Sequence, residues 1–354
     1  MPDGLTLSGE VTLPQVVQCG GCWVKRRVGA ATDGEGGVMI RRRVAVAGLL
    51  VALVGSVVGV ASGSSAVAVG DPVVMAAGDI ACPPGSSRGN RCRDDLTAGL
   101  LAGATDVITV GDNQYNCGQL TAFQNAYAKT WGKWITKTWP VVGEDDYAGG
   151  GCTTPGAEGF FTYFKDRAQQ NGCTKSCQGW YSYDLGTNWH VVALNTNCAG
   201  PGVGGCSASS PQVKWLKADL ASNTKSCVLA VMHRPYWSNG NLVTKYKALV
   251  DALYAGHADV LLTGNSHLYA RYAQQNPSSK VDTANGMRAF IVGMGGKSHS
   301  KLASPRLPNF EAGNDTAYGV LQLNLHPTSY DWEFKQAYPV TSSPFTDKGS
   351  TSCH

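Results

Sequence analysis

The sequence predicts a mixed α/β fold with helices covering sheets, and three observations carry that prediction. Short apolar runs rich in Val, Leu and Ile recur along the chain, each ending at a glycine plus a polar residue or at a histidine. Helical stretches with one apolar face alternate with those runs in the middle of the chain. Other segments alternate apolar and polar residues and are joined by tight-turn residues, as hairpins are.

The runs come in order. Val73–Ala77 precedes Gly78-Asp79, Val107–Val110 precedes Gly111-Asp112, and the short Val141-Val142 precedes Gly143-Glu144. The segment WYSYDLGTNWHVVALN (180–195) reads as a hairpin. Ser210-Pro211 opens a helix whose Val213, Leu216 and Leu220 share one face, because a capping hydroxyl and a proline at the first position suit a helix start. Val228–Met232 runs into His233. A second helix then aligns Tyr246, Leu249, Val250 and Leu253 before a stop at Gly256, and Val260–Thr263 precedes Gly264-Asn265. MRAFIVGMGG (287–296) and AYGVLQLNLHPTSYDWEF (317–334) again pattern like hairpins.

Net charge is +4, and 1–68 holds six basic and four acidic residues, leaving 23 against 21 beyond it. So balanced a chain argues against a nucleic-acid or membrane partner. Arg41, Arg42 and Arg43 precede an uncharged apolar run from Val44 to Val60, and Ala66-Val67-Ala68 offers a small-x-small cleavage site. Residues 39–68 therefore read as an export signal starting at Met39, with 1–38 as a mis-annotated upstream segment. The expectation is a secreted protein of one domain, 69–354, with no stable membrane association once the signal is cleaved. Ten cysteines follow the signal, an even number that suits an oxidising compartment. Close spacing pairs Cys82 with Cys92, Cys173 with Cys177 and Cys198 with Cys206. Cys117, Cys152, Cys227 and Cys353 remain for two longer bridges in an unassigned pairing.

In α/β sheets chemistry gathers at the carboxyl ends of strands. Asp79, Asp112, Glu144, His233 and the pair Asn265 and His267 all hold that position. Oxygen donors with imidazoles suit Fe, Mn, Zn or Mg, and two such ions sharing a carboxylate can activate water and clamp a phosphoryl group.

The blocks GDIAC (78–82), GDNQY (111–115), GEDDY (143–147), MHRPYW (232–237) and GNSHLYAR (264–271) resemble those of the calcineurin-like metallophosphoesterases. The likeness is strongest to purple-acid-phosphatase-type enzymes and their secreted actinobacterial relatives, and it runs over essentially all of 72–354. It implies a four-layer α/β/β/α sandwich of two mixed sheets flanked by helices. It also implies hydrolysis of a small phosphorylated or other anionic substrate by a metal-bound hydroxide. Asp79, Asp112, Tyr115 and His267 would hold the first ion, Fe(III) if Tyr115 binds as tyrosinate. Asp112 would bridge to a second ion (Fe, Mn or Zn) held with Glu144, His233 and Asn265.

The sequence departs from the family pattern at three places. Glu144 and Asp145 stand where the family has the Asn and His of GNH, and Asn265 replaces the first histidine of GHxH. A carboxylate at 145 facing an incoming phosphate at roughly 5 Å costs on the order of 3 kcal/mol at an effective dielectric of about 20. Protonated by the influence of its acidic neighbours, Asp145 would instead serve as general acid. Asp146 reads as support for the ligands, and Arg234 and Arg271 as weaker candidates for substrate binding. The alternative is a repurposed or catalytically impaired homologue with one intact metal site and a binding role or another reaction.

Overall fold

The computed structural model describes residues 70–87, 91–147, 156–337 and 344–354, so the segments read as upstream extension and export signal lie outside the described residues, as does Cys152. Its first sheet has six strands, in the order β13 (Lys348–Ser352), β12 (Ser329–Gln336), β11 (Gly319–Leu325), β1 (Val73–Ala77), β2 (Asp106–Val110), β3 (Thr138–Val141). β1, β2 and β3 run parallel, and β11 joins β1 antiparallel. The second sheet has seven, in the order β10 (Phe310–Asn314), β8 (Tyr269–Tyr272), β9 (Arg288–Val292), β7 (Val260–Thr263), β6 (Cys227–Met232), β5 (Trp189–Leu194), β4 (Tyr181–Leu185).

Four of the apolar runs became β1, β2, β6 and β7, and of the fifth, Val141-Val142, Val141 closes β3. Residues 180–195 form the hairpin of β4 and β5, and 317–334 that of β11 and β12. The reading of 287–296 is corrected. Arg288–Val292 is one central strand, parallel to β7 and antiparallel to β8, and its five residues are all buried. A strand covered on both faces shows no alternation to distinguish it from a hairpin arm.

Alternation along β1 explains the layering. Val74 and Ala76 face the packing between the sheets, while Met75 and Ala77 face the opposite side. That outer side is covered by α1 (Asp94–Gly99), α2 (Leu120–Asn125) and α4 (Glu158–Phe164), with Phe123, Phe160, Phe161 and Phe164 supplying the apolar mass. A four-residue turn of helix, α3 (Glu144–Tyr147), follows β3. The second sheet is covered by α5 (Pro211–Ser222) and α6 (Lys247–Ala255) through Val213, Leu216, Leu249 and Leu253. Ser210 caps α5 by accepting from Val213 N–H. The result is the expected sandwich of two mixed sheets flanked by helices. No described helix is long and apolar enough to cross a membrane.

Disulfides join Cys82–Cys92, Cys173–Cys177 and Cys198–Cys206, as spacing indicated. A fourth, Cys227–Cys353, ties the start of β6 to the carboxyl end of the chain.

Candidate metal centre at the strand ends

The carboxyl ends of strands from both sheets meet at one place. Asp79 N–H donates to Gly111 O at 3.1 Å, and Gly264 N–H donates to His233 O at 2.8 Å. Gly78 N–H crosses from β1 to Val292 O at the end of β9, at 2.9 Å. Three residues at these ends, Asp79, Asp112 and Asn265, hold φ of 58°, 48° and 63°. Such left-handed backbone costs energy in any non-glycine residue and gathers where side chains must be aimed.

Asp79, Asp112, Tyr115 and His267 converge. The Tyr115 hydroxyl lies 2.8 Å from Asp79 Oδ1, 3.0 Å from Asp112 Oδ2 and 3.1 Å from His267 Nε2. His267 Nε2 is 3.1 Å from Asp79 Oδ1. Adjacent ligands of a six-coordinate ion with bonds of about 2.1 Å stand about 3.0 Å apart, so these spacings suit one cation.

His233 makes the second cluster and carries the test of fit. Its Nδ1 donates to Val110 O at 2.7 Å. A carbonyl only accepts, so Nδ1 bears the hydrogen and Nε2 is the free position. That Nε2 faces Asp112 Oδ2 at 3.3 Å and Glu144 Oε2 at 2.8 Å. Neither Nε2 nor Glu144 Oε2 has a partner in hydrogen-bond geometry among the described residues, although both atoms are buried. A lone pair aimed between carboxylate oxygens is stable only around a proton or a cation. The residues present therefore fit a second ion sharing Asp112 with the first. Asp79, Asp112 and His233 offer ligand atoms all within 4.8 Å of one another.

The electrostatics agree. Burial, then the Asp79 and Asp112 charges, hold the Tyr115 phenol well above its ordinary pKa. Burial opposes protonation of His233, but the Asp112 and Glu144 charges outweigh it and raise its pKa well above the usual range. Burial raises Glu144, yet His233 and Arg234 overcome this and bring it down to about 2. Burial, then Asp112, Asp146 and Glu144, push Asp145 up to about 8. A bound cation acts on all of these groups in the direction of proton loss.

The remaining predicted residues divide. Asp146 is buried and accepts from Gly143 N at 2.9 Å, Asn113 N at 3.1 Å and Asn113 Nδ2 at 2.8 Å, locking the GDNQY and GEDDY turns together. Asp145 N–H donates to Asp112 Oδ1 at 2.8 Å. Asn265 contributes its backbone, whose N–H holds Asp79 Oδ2 at 2.9 Å. Arg234 Nη2 pairs with Glu144 Oε1 at 2.8 Å and lines a 420 Å³ pocket with Tyr147, Thr196, Asn197, Lys245 and Tyr246. Arg271 does not join the site. Its guanidinium bonds Asp347 at 2.8 and 2.9 Å, contacts Glu311 and lies over Trp332, so protein groups occupy it. Sequence reasoning missed the loop after β9, where Ser298 Oγ meets His267 Nδ1 at 3.3 Å and Lys297 Nζ lies 4.5 Å from the centre of the Tyr115 ring. Its only signal was a glycine-rich stretch after a strand.

Solved structures share this architecture. A purple acid phosphatase, PPD1, from yellow lupin (Lupinus luteus) seeds matches with a TM-score of 0.56 at 14% identity, over 79% of this chain and 53% of that one. The chain thus spans about half the length of the lupin protein. GAP50, the anchor in the inner membrane complex of Plasmodium, matches with a TM-score of 0.60 at 14% identity, over 80% and 89% of the two chains. A dimetal phosphatase from Danio rerio matches with a TM-score of 0.50 at 11% identity, over 80% of this chain and all of that one. No protein-family model matches the sequence, and no curated protein matches it either. At these identities the likeness establishes the fold, the metallophosphoesterase α/β sandwich.

Proposed function

We propose that the chain is a secreted metal-dependent phosphoesterase acting on small phosphate esters. The observation that carries this reading is the pair of donor sets sharing Asp112, with His233 Nε2 aimed between two carboxylate oxygens. Asp79, Asp112, Tyr115 and His267 would hold the first ion, with Fe(III) favoured by the phenol ligand. Asp112, Glu144 and His233 would hold the second, Fe, Mn or Zn, with the Asn265 amide as a weaker donor. Bound there, such ions supply Lewis acidity toward a phosphoryl oxygen and a nucleophile from water.

The chain's own residues do the rest. The Val110 carbonyl fixes the tautomer of His233, and the Asp146 clamp fixes the turn that carries Asp112 and Glu144. Asp145 stands where the family keeps its leaving-group histidine and is assigned as proton donor. Arg234 and the pocket beside it receive the organic part of the ester. The four described disulfides support an extracellular setting.

Purified protein loaded with iron, manganese or zinc is expected to cleave chromogenic phosphomonoesters or diesters above the metal blank. Absence of turnover at every pH from 4 to 9 would count against the reading. A second reading is a homologue with a weakened second site and a binding role or another reaction, favoured by the Arg234–Glu144 ion pair and by the amide at 265. Two firmly held ions per chain would argue against it.

A further inference from the structure

Lys297 closes the run Gly293-Met294-Gly295-Gly296 that follows β9. Its backbone is built into the site. Gly295 N–H donates to Gly78 O at 2.9 Å, Lys297 N–H to Asp79 O at 2.9 Å, and Arg93 N–H to Gly296 O at 2.8 Å. A Cβ on Gly295 would stand 2.5 Å from Gly78 O, so only glycine lets the loop lie this close to the strand end bearing Asp79. Cys92 forms a β-bridge with Lys297, and the Cys82–Cys92 disulfide fastens that neighbour in turn. The position is therefore fixed by the fold.

From there the half-buried side chain reaches over Tyr115, with Nζ 4.5 Å from the ring centroid. The ammonium stands on a ring face, with the Asp145 and Asp112 charges nearby. Arg234, another cation near the centre, already has Glu144 Oε1 at 2.8 Å. Four carboxyl residues, Asp79, Asp112, Glu144 and Asp145, gather here, so a phosphate meeting the ions would also meet carboxylates wherever no cation of the chain faces it.

We infer that Lys297 is the phosphoryl-binding cation of this site, its ammonium taking the non-bridging oxygens of a phosphate ester or of inorganic phosphate. The inference rests on the phosphoesterase reading and adds a residue that the metal-ligand pattern does not contain. It also answers the substitution at 145. The positive charge that the family's histidine would have offered to phosphate comes here from the loop after β9.

The test is calorimetric titration of inorganic phosphate into metal-loaded wild type, Lys297→Met and Lys297→Arg, with metal content and melting temperature measured on each. Losing a charge-assisted contact is expected to weaken phosphate binding by about 10- to 100-fold in K297M. K297R should recover most of that affinity, with metal content equal in all three and KM, more than kcat, altered in K297M. K297M binding phosphate as wild type does, or losing its metal, overturns the assignment and leaves the phosphoesterase reading standing. K297R as weak as K297M overturns it too. A wild type that takes up no metal overturns both.

Discussion

A single methyl group at Gly143 tests how closely the second donor cluster is built. A Cβ there would lie 2.1 Å from Asp112 N and 2.2 Å from Asp112 Oδ1. Ordinary contacts need about 3.3 Å, so Asp112 or the Glu144 turn must move by about 1 Å to admit the methyl. The backbone has little room to give, because Asp146 grips both turns through Gly143 N and Asn113 N. Overpacking of this kind costs about 1–3 kcal/mol in stability, and a 1 Å error in a reacting group costs about 100-fold in rate. Gly143→Ala should therefore fold, melt a few degrees lower, and lose about 100-fold in kcat/KM with reduced occupancy of the second ion. Gly103→Ala, where no atom of the described residues lies within 4 Å of the new methyl, is the control. Full metal content and full activity in G143A would refute the claim that Asp112 and Glu144 are held in register across this contact.

Other outcomes follow from residues outside the candidate ligand set. Cys227–Cys353 links residues 126 apart, and the double variant C227A/C353A should lose about 2–5 kcal/mol of unfolding free energy in a urea titration. His190 donates to Asp184 Oδ1 at 2.9 Å and Asp219 Oδ2 at 2.8 Å; burial lowers its pKa, but these two bonds outweigh it and raise it above the usual histidine value. A group whose folded pKa is raised stabilises fully below its unfolded pKa of about 6.5 and loses that stabilisation as pH climbs through the folded value. Relative to His190→Gln, the wild type should lose stability as pH rises above about 6.5, read by the same titration. Arg234→Met removes an ion pair that is 43% exposed at the arginine, so its melting temperature should hardly move. KM for phosphate esters should rise severalfold in the same variant if the neighbouring pocket receives the leaving group.

Much of the fold was legible because its central strands are short apolar runs punctuated by glycine, and a buried parallel strand has few other ways to be written. The helix opened by Ser210-Pro211 was legible for the same reason, since its cap is local chemistry. What escaped depends on partners distant in sequence. β10 and β13 are edge strands of mixed burial, FEAGN and KGSTS, with nothing apolar enough to mark them. The aromatic helices α2 and α4 are seven residues or shorter and cluster through Phe123 stacking on Tyr163 at 5.0 Å, a contact between segments that no periodicity announces. At the site, the positions of the candidate ligands were legible from their place after strands. Arg271 follows a motif histidine yet turns toward Asp347, 76 residues away. Lys297 reaches Tyr115 because a glycine-rich loop packs against Gly78 and Asp79 just past the end of β1, and a lysine after glycines has no signature of its own.

The central question is whether this constellation holds metal. Elemental analysis of the purified protein, paired with an absorption spectrum before and after chelation, addresses that claim directly. The expected result is one to two equivalents of a transition metal per chain, with a visible phenolate band if the first ion is ferric, and loss of both metal and thermal stability on prolonged chelator treatment. Protein that carries no stoichiometric metal, takes none up on incubation with iron, manganese or zinc, and melts at the same temperature with or without chelator would contradict the account.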